Sequence, residues 1–102
     1  MFDMFGKLGE MKKAMEAAKL RLDTVFVQGK AGGGLVTVEM TANMEVKSIL
    51  LAPELMNADR REEAEELLAA AFNQAVHSAR NVSESELKAA GKGFLPDIPG
   101  LF

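Results

Sequence analysis

The stretch Gly32-Gly33-Gly34-Leu35-Val36-Thr37-Val38-Glu39-Met40-Thr41 decides the fold. From Leu35 to Thr41 the residues alternate with a period of two. Val36, Val38 and Met40 fall on one face and Thr37, Glu39 and Thr41 on the other, the pattern of a strand with one side buried. The glycines supply a turn, and Thr24-Val25-Phe26-Val27-Gln28 before them is another run of strand formers. After it, Ala42-Asn43-Met44-Glu45 connects to a third strand, Val46 to Leu51, which Pro53 ends. Two short connections in succession argue for an antiparallel meander, because parallel pairing needs a long crossover. The glycine run does not fit a phosphate-binding loop, which opens a helix and carries a Lys-Ser/Thr pair; here a strand follows.

Helical patterns flank the strands. Between about Gly6 and Asp23, Met4, Leu8, Met11, Met15, Ala18 and Leu22 recur at the alternating four-three spacing of a coiled-coil seam. At about 100° per residue they form a narrow stripe, suited to one partner helix rather than to the floor of a core. Lys12 and Lys19 border the stripe on one side, Lys7 and Arg21 on the other. A second helix starts at Asn57 or Asp59, with Asp59-x-x-Glu62 as a capping box, and runs to about Ala90, where Gly91 stops it. Leu67, Leu68, Ala71, Phe72, Ala75, Val76, Ala79 and Val82 line one side of it, and the alanines allow close approach to a sheet. The reading is α+β: an α-β-β-β-α subunit with a three-stranded antiparallel sheet and two long helices. One domain spans residues 1–92, and a Pro/Gly-containing tail spans 93–102. A helix of about 30 residues is ~45 Å long, more than such a sheet can shelter. Part of each helix should therefore project and need a second chain, most simply in a two-fold homodimer. Met4, Leu8, Met11, Met15, Leu22 and Phe72 are the expected interface residues.

Composition excludes much of the remaining chemistry. The chain has 102 residues, with 48% hydrophobic and 26% charged, a globular composition for one domain. It has no cysteine and one histidine, which removes disulfides, thiolate nucleophiles and paired-histidine metal sites. His77 lies on the polar side of the second helix without an orienting partner. Glu62, Glu63, Glu65 and Glu66 point around the first turns of that helix, where carboxylates meet the dipole favourably. Met4, Met11 and Met15 occupy packing positions. We expect no catalytic residue, metal, cofactor, small-molecule substrate or membrane partner. The opening M-F-D-M-F-G-K lacks a signal-peptide core, so the expected location is cytoplasmic. Charge is uneven: residues 1–23 carry +1 and residues 58–90 carry −3, within a total of −3.

Several segments resemble the YbaB/EbfC nucleoid-associated proteins. They are M-F-G-K-L-G-E-M-K-K-A-M from Met4 to Met15, G-K-A-G-G-G-L-V-T-V-E-M, V-K-S-I-L-L-A-P-E-L, L-L-A-A-A-F-N-Q-A and the terminal L-P-D-I-P-G-L-F. The resemblance implies an intertwined, tweezer-like homodimer whose helical arms bind double-stranded DNA, organise the bacterial nucleoid and bear on gene expression. It places DNA contacts on Lys7, Lys12, Lys13, Lys19 and Arg21, with Arg80, Lys88 and Lys92 as a second set. No base-reading set of Arg, Asn or Gln stands out, so backbone contact is the expected mode. A competing reading is a small dimeric adaptor that grips a protein with its arms and with the apolar tail residues Phe94, Leu95, Ile98, Leu101 and Phe102.

Overall fold

The computed structural model describes the chain from Phe2 to Gly91, with side chains from Gly6 onward. Helix α1 spans Phe2–Leu22, strands β1, β2 and β3 span Phe26–Ala31, Val36–Thr41 and Val46–Leu51, and helix α2 spans Arg61–Gly91. The strands form one antiparallel sheet in the order β1-β2-β3. This is the expected α-β-β-β-α arrangement. The triple glycine closes the β1–β2 hairpin with φ of 65°, 69° and 98° at Gly32, Gly33 and Gly34, a left-handed run that side chains disfavour.

Two boundaries differ from expectation. β1 starts at Phe26 rather than Thr24, because the chain leaves α1 through further turns: Thr24 N–H donates to Arg21 C=O and Val25 N–H to Leu22 C=O. It then continues through Gly29, Lys30 and Ala31, which pair with Val38, Thr37 and Val36. Asp59 is not the cap of the second helix. Short 3-10 turns at Pro53–Leu55 and Ala58–Arg60 precede α2, and Asn57 Oδ1 accepts the Arg60 N–H at 3.1 Å. The extra turn moves the capping position upstream.

Val36, Val38 and Met40 of β2 are fully buried against Ala71, Ala75 and Ala79 of α2, with Leu55 closing one end. Burying each of the larger side chains contributes about 1.5–3 kcal/mol. The helix lies so close to β1 that a Cβ built on Gly29 would sit 1.9 Å from Ala71 O and 2.6 Å from Ala75 N. Beside this contact Gln74 Oε1 accepts the Lys30 N–H at 2.5 Å, satisfying a donor on the sheet edge.

The subunit is long and thin, 68 × 26 × 15 Å, with a radius of gyration of 19.0 Å. A compact domain of this length has a radius near ~13 Å. The excess comes from the helices: six-residue strands span ~20 Å, and α2 alone is ~46 Å long. Residues 64–79 of α2 lie along the sheet and the rest extends past it with α1. Gly29→Ala is expected to lower the free energy of unfolding by at least about 3 kcal/mol, the upper part of the overpacking range, because backbone rather than a movable side chain is in the way. A shift in the urea midpoint at unchanged m-value measures it; an unshifted midpoint would show that α2 does not approach this closely.

Candidate nucleic-acid interface

The projecting arm is an antiparallel pair of helices. Arg21 near the end of α1 pairs with Glu86 of α2 through Nη2 (2.5 Å) and Nε (2.8 Å) to Oε1. Nearer the start of α1, Met15 Sδ lies beside Gly91. Between these points the seam is sealed: Ala18 and Leu22 are fully buried. The single partner helix that the narrow stripe demanded is thus the chain's own α2 for the C-terminal half of the seam. Leu22, expected at a dimer interface, is taken up by the chain's own packing and is not exposed to a second copy. Met15 and Met11 are half-buried and Leu8 is exposed; the side chain of Met4 lies outside the described residues.

A latch from the sheet holds the base of this arm. The Asn43 amide donates both to Lys19 C=O (2.8 Å), one of the carbonyls left unpaired at a helix end, and to Asp23 Oδ1 (2.5 Å). The β2–β3 turn is shaped to present it. Thr41 Oγ1 accepts the N–H groups of Asn43 (3.2 Å) and Glu45 (3.3 Å), and Met44 is held at φ 67°. Sequence reading passed over Asn43 as part of a plain connection. An Asn beside a bulky residue in a four-residue turn is a weak signal, and its partners are 20 and 24 residues away.

Lys7, Lys12, Lys13 and Lys19 of α1 and Arg80 and Lys88 of α2 are all exposed. None of these six forms an ion pair among the described residues, whereas Arg21 is held by Glu86. Lys92 lies outside the described residues. Helical geometry puts Lys12 and Lys19 on one flank of the seam, Lys7 on the other and Lys13 on the far side; Arg80 and Lys88 share a face with Glu84 between them. Most cations of the body are engaged differently: Arg60 pairs with Glu63 and Arg61 with Glu65 (2.8 Å), while exposed Lys30 forms no ion pair among the described residues. Lys47 pairs with Glu45 at 2.8 Å, and that hydrogen bond and charge hold its pKa above the ordinary lysine value. His77 is exposed, and among the described residues no three His, Cys, Asp or Glu side chains come together as a metal site.

Charge divides along the same line as shape. α1 together with residues 80–91 carries seven basic and five acidic side chains, a balance of +2; the rest of the chain carries five and ten, a balance of −5. A second surface lies at the other end. α2 packs on β1 and β2 but barely touches β3, leaving Val46, Ile49 and Leu51 exposed on the helix side of the sheet. Ile49 and Leu51 line a groove with Leu68, Phe72 and Met56, and the part nearest Leu55 has a volume of about 440 Å³. Phe72, one of the expected interface residues, is 41% exposed there.

A model of the YbaB/EbfC DNA-binding family matches residues 1–94, and the chain belongs to that family. It is similar to nucleoid-associated proteins of Afipia carboxidovorans (40% identical, covering 96% of this chain and 91% of the relative) and Flavobacterium johnsoniae (37%, with the same coverage). One from Dictyoglomus turgidum is 36% identical over 99% of this chain and 96% of its own. The fold matches the crystal structure of an uncharacterized protein from Helicobacter pylori with a TM-score of 0.70 at 22% identity, covering 91% of this chain and 94% of that one. No helix among the described residues is long and apolar enough to cross a membrane.

The Arg21–Glu86 pair is solvent-accessible, with the arginine side chain 58% and the glutamate 33% exposed, so a double-mutant cycle with alanine at both positions should give a coupling of at most about 1 kcal/mol that shrinks as salt rises. A larger, salt-insensitive coupling would make Arg21 a structural residue of the arm rather than one that can be released to another anion.

Proposed function

We propose that two copies join through the β3 and α2 apolar groove and bind double-stranded DNA along their arms, mainly at phosphates, helping to organise the nucleoid in the cytoplasm. The observation that carries this reading is the separation of charge: the arm carries a balance of +2, with six cations that form no ion pair among the described residues, while the body is acidic. An anionic duplex is attracted to the first and repelled by the second. Lys12 and Lys19, with Lys7, Lys13, Arg80 and Lys88, are the proposed phosphate contacts, and Arg21 joins them once it exchanges Glu86 for phosphate. Lys92 stays in the proposed set by its place just past α2. Bearing on gene expression follows from occupancy of DNA and needs no further site.

The proposed dimer interface differs from the seam-based expectation. Contiguous exposed apolar area of this kind marks association surfaces, and a two-fold copy offers the same patch in return. Phe72 is kept in it with Ile49, Leu51 and Met56; Leu22 is not. Ile49 is 47% exposed, so Ile49→Asp leaves the subunit's own packing alone. The wild type should sediment at twice 11.0 kDa at micromolar concentration and Ile49→Asp at 11.0 kDa. A wild type at 11.0 kDa sinks the dimer, and an Ile49→Asp variant that stays dimeric moves the interface elsewhere. A stable complex with a different protein, lost in the same variant, would favour the adaptor reading.

DNA binding should show as a gel shift with generic duplex at low salt, with log affinity falling linearly in log salt and a slope of roughly −0.9 per phosphate neutralised. Reversing Lys12 and Lys19 together to Glu should abolish the shift and leave the dimer mass unchanged. A normal shift by the reversed protein would mean that this flank does not face the duplex.

A further inference from the structure

Among the described residues, the first half of the α1 seam has no helix to lie on. α1 and α2 run antiparallel, and the described length of α2 runs out at Gly91, beside Met15. From there α1 continues for thirteen residues to Phe2, ~20 Å. On that length Met11 is half-buried and Leu8 is 52% exposed.

We propose that the chain's own C-terminal segment, residues 92–102, seats on the seam at Leu8 and Met11 and takes over from α2 as its cover. Length, composition and spacing all support this occupant. The segment has eleven residues, five of them large and apolar (Phe94, Leu95, Ile98, Leu101, Phe102), against one lysine and one aspartate. Leu95 and Ile98 each precede a proline, which turns them away from the helical region toward polyproline II. In that conformation eleven residues reach ~34 Å, enough to cover the seam to its start. Three residues make one turn, so Leu95, Ile98 and Leu101 line up on one edge at intervals of ~9.3 Å. The seam repeats every seven residues, ~10.5 Å along α1, so the two apolar rows nearly match. A strip seated there lies between the Lys7 and Lys12 flanks and leaves both cations in solvent. This contact goes beyond the DNA-binding reading and stands without it.

Two experiments on the full chain test it. Amide hydrogen exchange in residues 6–12 should speed up by at least about tenfold in Leu95→Ser/Ile98→Ser/Leu101→Ser, because a helix end stripped of its packing opens locally, while residues 64–79 keep their protection. Unchanged exchange in residues 6–12 overturns the proposal; it would mean that the seam is free or is covered by a second copy. Since the chain has no cysteine, the pair Leu8→Cys and Leu95→Cys, which the extended segment places at about the same distance past Met15, can be oxidised without competing thiols. Its disulfide should form within one chain, at least about tenfold faster than in the control pair Lys13→Cys and Leu95→Cys, whose α1 thiol faces away from the seam at a similar tether length. Equal rates overturn the proposal, and so does a disulfide found only between chains, which would seat the segment on the partner's α1 instead.

Discussion

Helix α2 approaches the sheet until the backbone of Ala71 fills the space that a side chain on Gly29 would need. Everything else in the subunit follows from that contact. A helix with its side chains is ~10 Å across, while strands are spaced ~4.8 Å apart; one helix pressed onto a three-stranded sheet therefore covers two strands. α2 is centred on β1 and β2, and β3 is left with its apolar side chains in solvent. α1 does not come to cover it, because its own apolar row is spent on the far half of α2. The groove at one end and the arm at the other are two consequences of one close approach.

The division of charge gives that geometry its functional sense. The acidic residues of α2 gather in its first turns, where they meet the helix dipole and pair with Arg60 and Arg61. That occupies Arg60 and Arg61, though not Lys30, and keeps the body's net charge negative. The arm's lysines form no ion pair among the described residues, and Asn43 fixes the base of the arm to the sheet. A mildly acidic protein can in this way carry a locally basic arm, and any attraction between exposed charges there and a polyanion is screened by ions within ~10 Å at moderate salt.

Much of this was legible in the residues. The alternation of Val36, Val38 and Met40, the triple glycine and the two short connections required an antiparallel meander, and each of those features acts within a few residues of itself. The stripe from Leu8 to Leu22 required a single helical partner. Which helix that would be was not legible, since a seam specifies the shape of its partner and not the chain it comes from. Gly29 was readable in part, because a glycine within strand formers, set against an alanine stripe, indicates close backbone approach; ending the strand at Gln28 hid it. The family was legible from the segments it shares with this chain, and the expectation of DNA contacts on the arm's basic residues came from that resemblance.

By itself the sequence determined the order of the elements, the buried face of β2 and the absence of cysteine chemistry, because local patterning and composition do not depend on distant contacts. Only the tertiary structure decided that α2 satisfies the seam at Ala18 and Leu22, that Asn57 caps ahead of α2, that Asn43 reaches Lys19 and Asp23, and that β3 stays uncovered. All but the Asn57 cap, which is local but competes with Asp59 for the same role, join residues far apart along the chain or depend on where one helix sits across a sheet. Position of that kind is set by how closely surfaces pack, which no periodicity encodes.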